Sequence, residues 1–553
     1  MTTHPPAITL NPLWVKGLRE RCRPKHMLTW GIIWLTLATF VFLVTYITMV
    51  EQQVSSKADA AKAALPGILV IQAVILMLFG TGAVASGVSQ ERDEDLLAYI
   101  RMTPMSPTAK VIGYLFGLPA REYLLVGATM PLVLIIVIIS GFSLFTLGHF
   151  YLVFFTSVLV YHMTALVVGM VSPKPRLSSL MSMGLVVLLY FALPNLSRLG
   201  ITFFEFLTIR PTFLGLVQQE LPLRLRAAAE INGIDTYRPV PFFGGAVGPT
   251  VYTLMVQGFL VATMFSILHR KWRDQANHLF SKPGSLIVFS GVAIFTFASI
   301  WAVVSQDDAY ARLFDPFATQ QGGGRVPETL FVLLMVGFMI VCGAYIFMIA
   351  VVTPTKDRTK AGIRQARRRG ETRLRFASDA GSSLPVAVVM IAICIAFGVS
   401  VIGLAVHHGD YITSAPSVAS MIAVVLLLVS IGLFVQGVAE RASIRVFGVA
   451  VFLLWMIPFF VMVIMFAAFE AFEAGLYVGQ PFPPVSIGFS MSWMLETAAP
   501  PPEYTGGFRF LPSPNEVDLT PSKIAYTGAV GYAAAAALMQ VLRFRHRKRL
   551  WSA

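Results

Sequence analysis

The chain has 553 residues, of which 56% are hydrophobic and only 13% charged, and its mean hydropathy is +0.73. A soluble domain carries roughly 25% charged residues, so the composition excludes a water-soluble globular protein, and length counts membrane spans rather than domains. A net charge of +14 is compatible with nucleic acid in isolation, but the basic residues sit beside apolar runs, which excludes nucleic acid as a partner.

Uninterrupted apolar runs predict an all-α polytopic membrane protein with about twelve transmembrane helices. The first six are Met27–Val50, Pro66–Val88, Tyr123–Leu144, Phe150–Val171, Leu177–Pro194 and Val247–Leu268. The second six are Leu286–Val304, Thr329–Val352, Leu384–Val406, Val418–Val438, Val446–Phe469 and Ile524–Leu542. The first run is too long for the apolar core of a signal peptide and no small-residue cleavage pattern follows it, so it is expected to be retained. With both termini cytoplasmic, about 31 of the 42 Lys and Arg fall on inner segments, and none falls within a span. This is the positive-inside asymmetry, and it predicts a multi-pass protein of the cell (inner) membrane.

Two outer segments are long, Asn195–Ala246 and Ala471–Lys523, the latter rich in Pro, Gly and acidic residues. Part of Ile201–Leu221 is apolar enough to dip into the bilayer, where surrounding protein must shield its backbone. Each half has six spans, a short basic turn between the fourth and fifth (Gly169–Ser178; Gly437–Ser443), and a long outer loop between the fifth and sixth. The pattern is that of a 6+6 duplication with modules at 1–280 and 281–553, although chance agreement between polytopic halves gives the same outline.

Three cysteines and scattered histidines make no disulfide framework and no metal site, and no cofactor is expected. No G-x-x-x-x-G-K-[ST] phosphate loop occurs, since Gly322–Gly324 lacks the following Lys and hydroxyl residue. Nor is there a G-x-S-x-G or H-E-x-x-H pattern, so no enzymatic activity is expected of the chain. The spans are poor in carboxylates, which disfavours an ion-coupled carrier. His162, in the fourth span, reads as a packed, hydrogen-bonded histidine.

Near the N-terminus, Asn11 is a good N-cap and Pro12 suits the first helical position. Trp14, Leu18 and Cys22 then recur at four-residue spacing, while Lys16, Arg19 and Arg23 lie on other faces. This is an amphipathic helix on the membrane surface, or equally a plain topological anchor. After the second span come five consecutive charges, Glu91, Arg92, Asp93, Glu94 and Asp95, then an apolar group with Leu96, Leu97 and Ile100. Thr103-Pro104 breaks the chain, and Ser106-Pro107 restarts a helix as N-cap and first position. The residues alone fit a helical hairpin that docks on a soluble partner and fit an ordinary interfacial loop as well.

At these residues the chain resembles the membrane subunits of ABC transporters of the type-2 permease family, whose members carry an E-R-E-x-G-T-L-x-x-L-L-x-T-P-[LIM]-S coupling segment after the second span. Glu91, Arg92 and Asp93 match its start, Leu97 and Ile100 its apolar positions, and Thr103, Pro104, Met105 and Ser106 its end. The segment Asn11–Arg23 is similar to that family's N-terminal elbow, and the likeness covers roughly residues 11–275. Asp95-Leu96 stands where the family has Gly-Thr, and Gly113-Tyr114 where it has Gly-Lys. The second half lacks the charged hairpin. In its place Thr355–Ser383 is basic, with Arg364, Arg367, Arg368 and Arg369 clustered, a run suited to a partner or to anionic lipid. The resemblance implies the permease subunit of an ATP-driven exporter, powered by a separate cytoplasmic ABC ATPase, with membrane lipids as further partners. It leaves open whether a second permease chain pairs with this one. A non-transporting membrane anchor or sensor subunit is the alternative, and a secondary carrier a more distant one.

The charge asymmetry predicts the topology directly. Reporter fusions after Ala553 or within Lys356–Arg375 should read as cytoplasmic, and fusions within Asn195–Ala246 or Ala471–Lys523 as external. An external C-terminus would overturn the arrangement.

Overall fold

The computed structural model describes residues 11–51, 56–172, 174–197, 201–217, 220, 239–243, 245–275, 277–305, 327–371, 374, 378–408, 415–441, 452–469, 472–496 and 521–552. Nearly all of these residues are helical, and the protein is an all-α, multi-pass membrane protein. Among the described residues eleven helices are long and apolar enough to cross a bilayer. The predicted eleventh span, Val446–Phe469, is described only from residue 452 onward, where a π turn leads into a short apolar helix. A small ribbon, Val240–Phe242 paired with Gly245–Val247, is the only sheet among the described residues. By its contacts the chain divides into two compact units, which meet in sequence near Asn277 and His278.

The first unit opens with α1 (Pro12–Arg21) and the span α2 (Pro24–Glu51). Next comes one 37-residue helix, Lys57–Asp93, made of α3 (Lys57–Ala73), a π segment (Val74–Gly80) and α4 (Thr81–Asp93). It is longer at both ends than the predicted Pro66–Val88, because Ser56 caps its start through the Asp59 N–H and its charged end stays helical to Asp93. Then follow α5 (Leu96–Met102), α6 (Pro107–Gly117), and the spans α7 (Ala120–Ser140), α8 (Leu144–Val171), α9 (Pro175–Ser197) and α10 (Pro249–Arg273). The third span stops before the predicted Leu144 because Gly141, at φ +62°, turns into the left-handed region that ends a helix.

The Lys57–Asp93 helix is the hub of this unit, packing against α2, α7, α8 and α9. Its π segment opens the regular ladder, and the Leu76 carbonyl pairs with His162 Nε2 at 3.0 Å. His162 is fully buried, as expected of a packed, hydrogen-bonded histidine. Nearby, Gln72 donates to Thr129 Oγ1 at 2.9 Å and accepts from the Tyr151 hydroxyl at 2.7 Å. Between α9 and α10, short 3-10, α and π turns run from Thr202 to Val217. Side chains of the spans pair some of the backbone groups in this irregular stretch. Tyr161 donates to the Leu207 carbonyl at 3.2 Å, Gln257 to the Phe206 carbonyl at 3.4 Å, and the Tyr190 hydroxyl accepts from the Ile209 N–H at 3.4 Å. A segment dipping into the bilayer would need such partners.

The second unit holds α11 (Lys282–Ser305), α12 (Pro327–Val352), α13 (Lys356–Arg368), α14 (Leu384–His408), α15 (Val418–Arg441), α16 (Ile457–Phe469), α17 (Phe472–Gly479), α18 (Pro483–Glu496) and α19 (Pro521–Ser552). The segment expected to be an outer loop from Ala471 is thus helical over much of its first half; residues 497–520 lie outside the described residues. Pro483 and Pro484 open α18, where missing N–H groups cost nothing. Its Ile487, Met491 and Met494 are buried, and α18 packs against α12, α15 and α19. On α15 and α19, Glu440 and Arg543 form a buried ion pair. Arg543 also donates to Gln436 Oε1 at 2.5 Å, and Gln436 donates to Ser383 Oγ at 2.6 Å.

This pair generates a stability prediction. Removing one partner of a buried ion pair leaves the other charge uncompensated, at about 3–5 kcal/mol. Arg543→Ala should therefore lower the thermal unfolding temperature in detergent sharply, and adding Glu440→Gln to it should recover much of the loss. Equal melting of Arg543→Ala and the parent would show that the pair carries no stability.

Candidate functional site

The site is assembled where α4 leaves the bundle. Asn11 caps α1 by accepting from the Leu13 N–H at 3.0 Å, and its Nδ2 donates to the Ala109 carbonyl on α6 at 2.5 Å. One side chain thus starts the elbow and pins it to the hairpin. The two helices cross at glycines. A Cβ added at Gly17 would sit 2.3 Å from the Gly117 carbonyl oxygen, and one at Gly113 would sit 2.7 Å from Leu13 Cβ. Gly113 and Gly117 are four residues apart, the small-xxx-small spacing that lets helix backbones touch. The packing face of α1 is therefore Leu13 and Gly17. Trp14, Arg19 and Arg23 are exposed, and Leu18 is half-buried.

Glu91 lies under this crossing. It is buried, accepts from Lys16 Nζ at 2.6 Å and also accepts from the Tyr114 hydroxyl. Burial works against the Lys16 ammonium, but its hydrogen bond and charge contact with Glu91 prevail and raise its pKa above 10.5. Burial, and then the Glu91 charge, raise that of the Tyr114 phenol well beyond its ordinary value. Tyr114 stacks on Trp272 with ring centroids 4.9 Å apart. Arg101 lies 5.8 Å above the Trp272 ring and donates to Gln275 Oε1 at 2.7 Å. So Glu91 ties α4 to both α1 and α6, and Trp272 brings α10 to the same node.

The five consecutive charges take different directions. Arg92 pairs with Asp93 at 2.6 Å and reaches Ser89 Oγ at 3.3 Å and the Gly169 carbonyl at 3.4 Å. Asp93, Glu94 and Asp95 are exposed. Asp95 has φ +57°, in the left-handed region, and there the chain turns from α4 into α5. Few non-glycine residues adopt that geometry, Asp and Asn being the most tolerant.

The short helix α5 then divides its apolar residues. Leu97 and Ile100 are buried in a cluster with Val84, Val88, Val111 and Leu115, and they seat the hairpin. Leu96, Tyr99 and Met102 face outward, with Tyr99 67% and Met102 77% exposed. Thr103 Oγ1 closes the helix on the Ile100 carbonyl at 2.6 Å. Lys110, itself buried, donates to the carbonyls of Arg101 and Thr103 at 3.0 and 3.2 Å. Burial, and then the nearby Arg101 charge, lower its pKa. Pro104 is exposed, and Ser106 caps α6 by accepting from the Ala109 N–H at 3.1 Å. The result is a braced hairpin whose outer surface carries Asp93, Glu94 and Asp95 beside Leu96, Tyr99 and Met102.

Sequence reasoning singled out Glu91, Leu97 and Ile100 with the exposed charges, but these three turn inward. It missed the outward Tyr99 and Met102 and the inward Leu13, Gly17, Tyr114 and Lys110. The G-x-x-x-G at Gly113–Gly117 was the signal available for the elbow crossing. Among the described residues no cluster of His, Cys, Asp and Glu could hold a metal ion. No protein-family model matches the chain, and comparison with curated proteins and with solved structures finds no match. Fold and site together define a class, an all-α multi-pass membrane protein with a braced acidic–apolar hairpin at one end of its second span.

The crossing makes a prediction about the elbow. Gly117→Leu forces side-chain atoms onto the Leu13 carbonyl, which already lies 2.9 Å from an added Cβ. Spin labels at Arg19 and Ile112 should then move apart, while the same labels in a Gly127→Leu control, where the space is open, should not.

Proposed function

We propose that the chain is the permease subunit of an ATP-driven ABC exporter and that the hairpin Asp93–Ser106 is where a separate cytoplasmic ATPase engages it. In this reading the twelve-span, 6+6 arrangement holds, both termini are cytoplasmic, and the protein resides in the cell membrane. The observation that carries the proposal is the hairpin's outer surface. Three exposed carboxylates adjoin three exposed apolar side chains on a helix that is clamped at its base and cannot swing freely. A rigid, mixed apolar and charged projection suits a groove on a soluble partner, where central apolar anchors supply affinity and charges supply orientation.

Two further observations support it. Asp95 occupies the left-handed turn at the position where the permease segment has glycine, so the departure in sequence keeps the backbone that glycine serves. Both units also carry short helical excursions before their last span, Thr202–Val217 in one and Phe472–Glu496 in the other, as a duplicated module would.

The mechanism in this reading is mechanical. A displacement of α5 is transmitted through Leu97 and Ile100 to the core around Val84 and Val88, and through Glu91 to the elbow and α6. The hub helix Lys57–Asp93 carries it into the membrane and opens the pathway. Glu91 is then a positioning residue, and the docking contacts are Asp93, Glu94, Leu96, Tyr99 and Met102.

Two measurements test this. The purified chain alone should hydrolyse no ATP. Tyr99→Ala with Met102→Ala, and separately Asp93→Ala with Glu94→Ala, should weaken capture of the ATPase, each hot-spot truncation costing about 2 kcal/mol or more. Membrane insertion should persist, because exposed substitutions typically change stability by about 0.5 kcal/mol or less. Undiminished capture and transport by both double variants would remove the hairpin from the coupling role.

A further inference from the structure

The helix α13 lies outside the proposed function. Its sequence, KDRTKAGIRQARR, holds six basic residues and one acidic residue. Lys356, Lys360, Arg364 and Arg368 recur every four residues, so they lie within about 120° of the helix circumference. Lys356, Arg364 and Arg368 are exposed, as is Arg369 beyond the helix end, and Lys360 is half-buried. The flank beside Lys356, with Thr359, Ile363 and Ala366, is buried. At Gly362 an added Cβ would overlap Ala380 Cβ. The helix is therefore seated by one flank, and most of its basic stripe is left exposed.

Its ends are fixed as well. Gly370, at φ +72°, closes the C-terminus, with the Gly370 N–H on the Arg367 carbonyl and the Glu371 N–H on the Ala366 carbonyl, both at 2.9 Å. This is a Schellman motif. At the other end only three residues separate the apolar span ending at Val352 from Lys356, a reach of at most about 14 Å. Thr353 is buried there and its hydroxyl meets Ser383 Oγ at 3.1 Å, just before α14 begins. The exit of one span and the entry of the next are thus held together, and α13 starts within that short reach of a span's end. Favourable helix-dipole interaction accounts for cations in the last turn only, whereas this stripe runs the length of the helix.

We propose that α13 is a binding site for the headgroups of anionic phospholipids. The stripe supplies cations at four-residue spacing at the depth of the headgroup layer, and each basic residue near an anionic surface adds to the attraction. No step of the proposed ATPase coupling depends on it.

The test uses the full-length protein in a neutral detergent. It is titrated with phosphatidylglycerol and, separately, with phosphatidylcholine, and bound lipid is counted by native mass spectrometry. The parent should bind the first phosphatidylglycerol at least about tenfold tighter than phosphatidylcholine. The variant K356Q/R364Q/R368Q/R369Q should lose that preference, and R364K/R368K/R369K, which keeps the charge, should retain it. If the quadruple variant fails to fold, R364Q/R368Q should show an intermediate loss. Three results would overturn the proposal. One is unchanged preference in a folded quadruple variant. A second is displacement of the lipid by inorganic phosphate at equal concentration, which would indicate a free-phosphate site. The third is capture of a polyglutamate peptide by the parent alone with lipid binding unchanged, which would assign the stripe to an acidic polypeptide.

Discussion

Water is absent from the hydrocarbon core of a bilayer, so every backbone N–H and C=O there must find a partner within the protein. The first unit supplies side-chain partners to backbone groups where its helices break. The π segment at Val74–Gly80 releases the regular pairing, and His162 meets the Leu76 carbonyl. The broken turns between Thr202 and Val217 are covered by Tyr161, Tyr190 and Gln257, each from a different span. These polar residues stand in otherwise apolar helices because the irregular backbone needs them. His162 is accounted for in the same way, as a structural partner.

At the end of the second span the constraint changes. Charges become tolerable, and the structure uses them to join helices. Glu91 receives bonds from Lys16 and Tyr114, so the carboxylate joins three elements at the edge of the apolar cluster they share. The glycines of the crossing allow the approach, and the carboxylate fixes its register. Either feature alone would leave the elbow loosely held. Together they make the base of the hairpin stiff, which is what lets α5 present an exposed face of defined shape.

The spans were legible in the sequence because twenty apolar residues in a row have few alternative fates. Helix starts were legible where chemistry is local, as with Asn11-Pro12 and Ser106-Pro107, whose caps formed as expected. What a run of charges cannot reveal is direction. Glu91, Arg92, Asp93, Glu94 and Asp95 are indistinguishable as a string, yet Glu91 turns inward and Asp93 outward, because the helical rotation of about 100° per residue meets a neighbour, α1, that is distant in sequence. The same limit applies to Leu96 and Leu97, adjacent and chemically identical, one exposed and one buried. The proline-rich stretch at Phe482–Pro484 misled for another reason. Proline interrupts a helix interior but opens a helix readily, and which applies depends on the packing of Ile487 and Met491 that follows.

The two units solve the connection after a span differently. In the first, the loop after α4 turns at Asp95 and projects an acidic and apolar hairpin. In the second, the chain after α12 bends at Thr353 and lays down a basic helix. If both descend from one module, the surface chemistry at this position has inverted while the helical seat has been kept. Leu97 and Ile100 bury one side of α5, as Thr359, Ile363 and Ala366 bury one side of α13. A symmetric partner with two identical grooves could not accept both surfaces equally, because a groove that matches clustered carboxylates repels clustered guanidinium groups by the same field. Under the proposed engagement of a soluble partner through α5, α13 is left to a ligand of opposite charge, and the nearest dense array of negative charge beside a membrane-spanning helix is the headgroup layer itself.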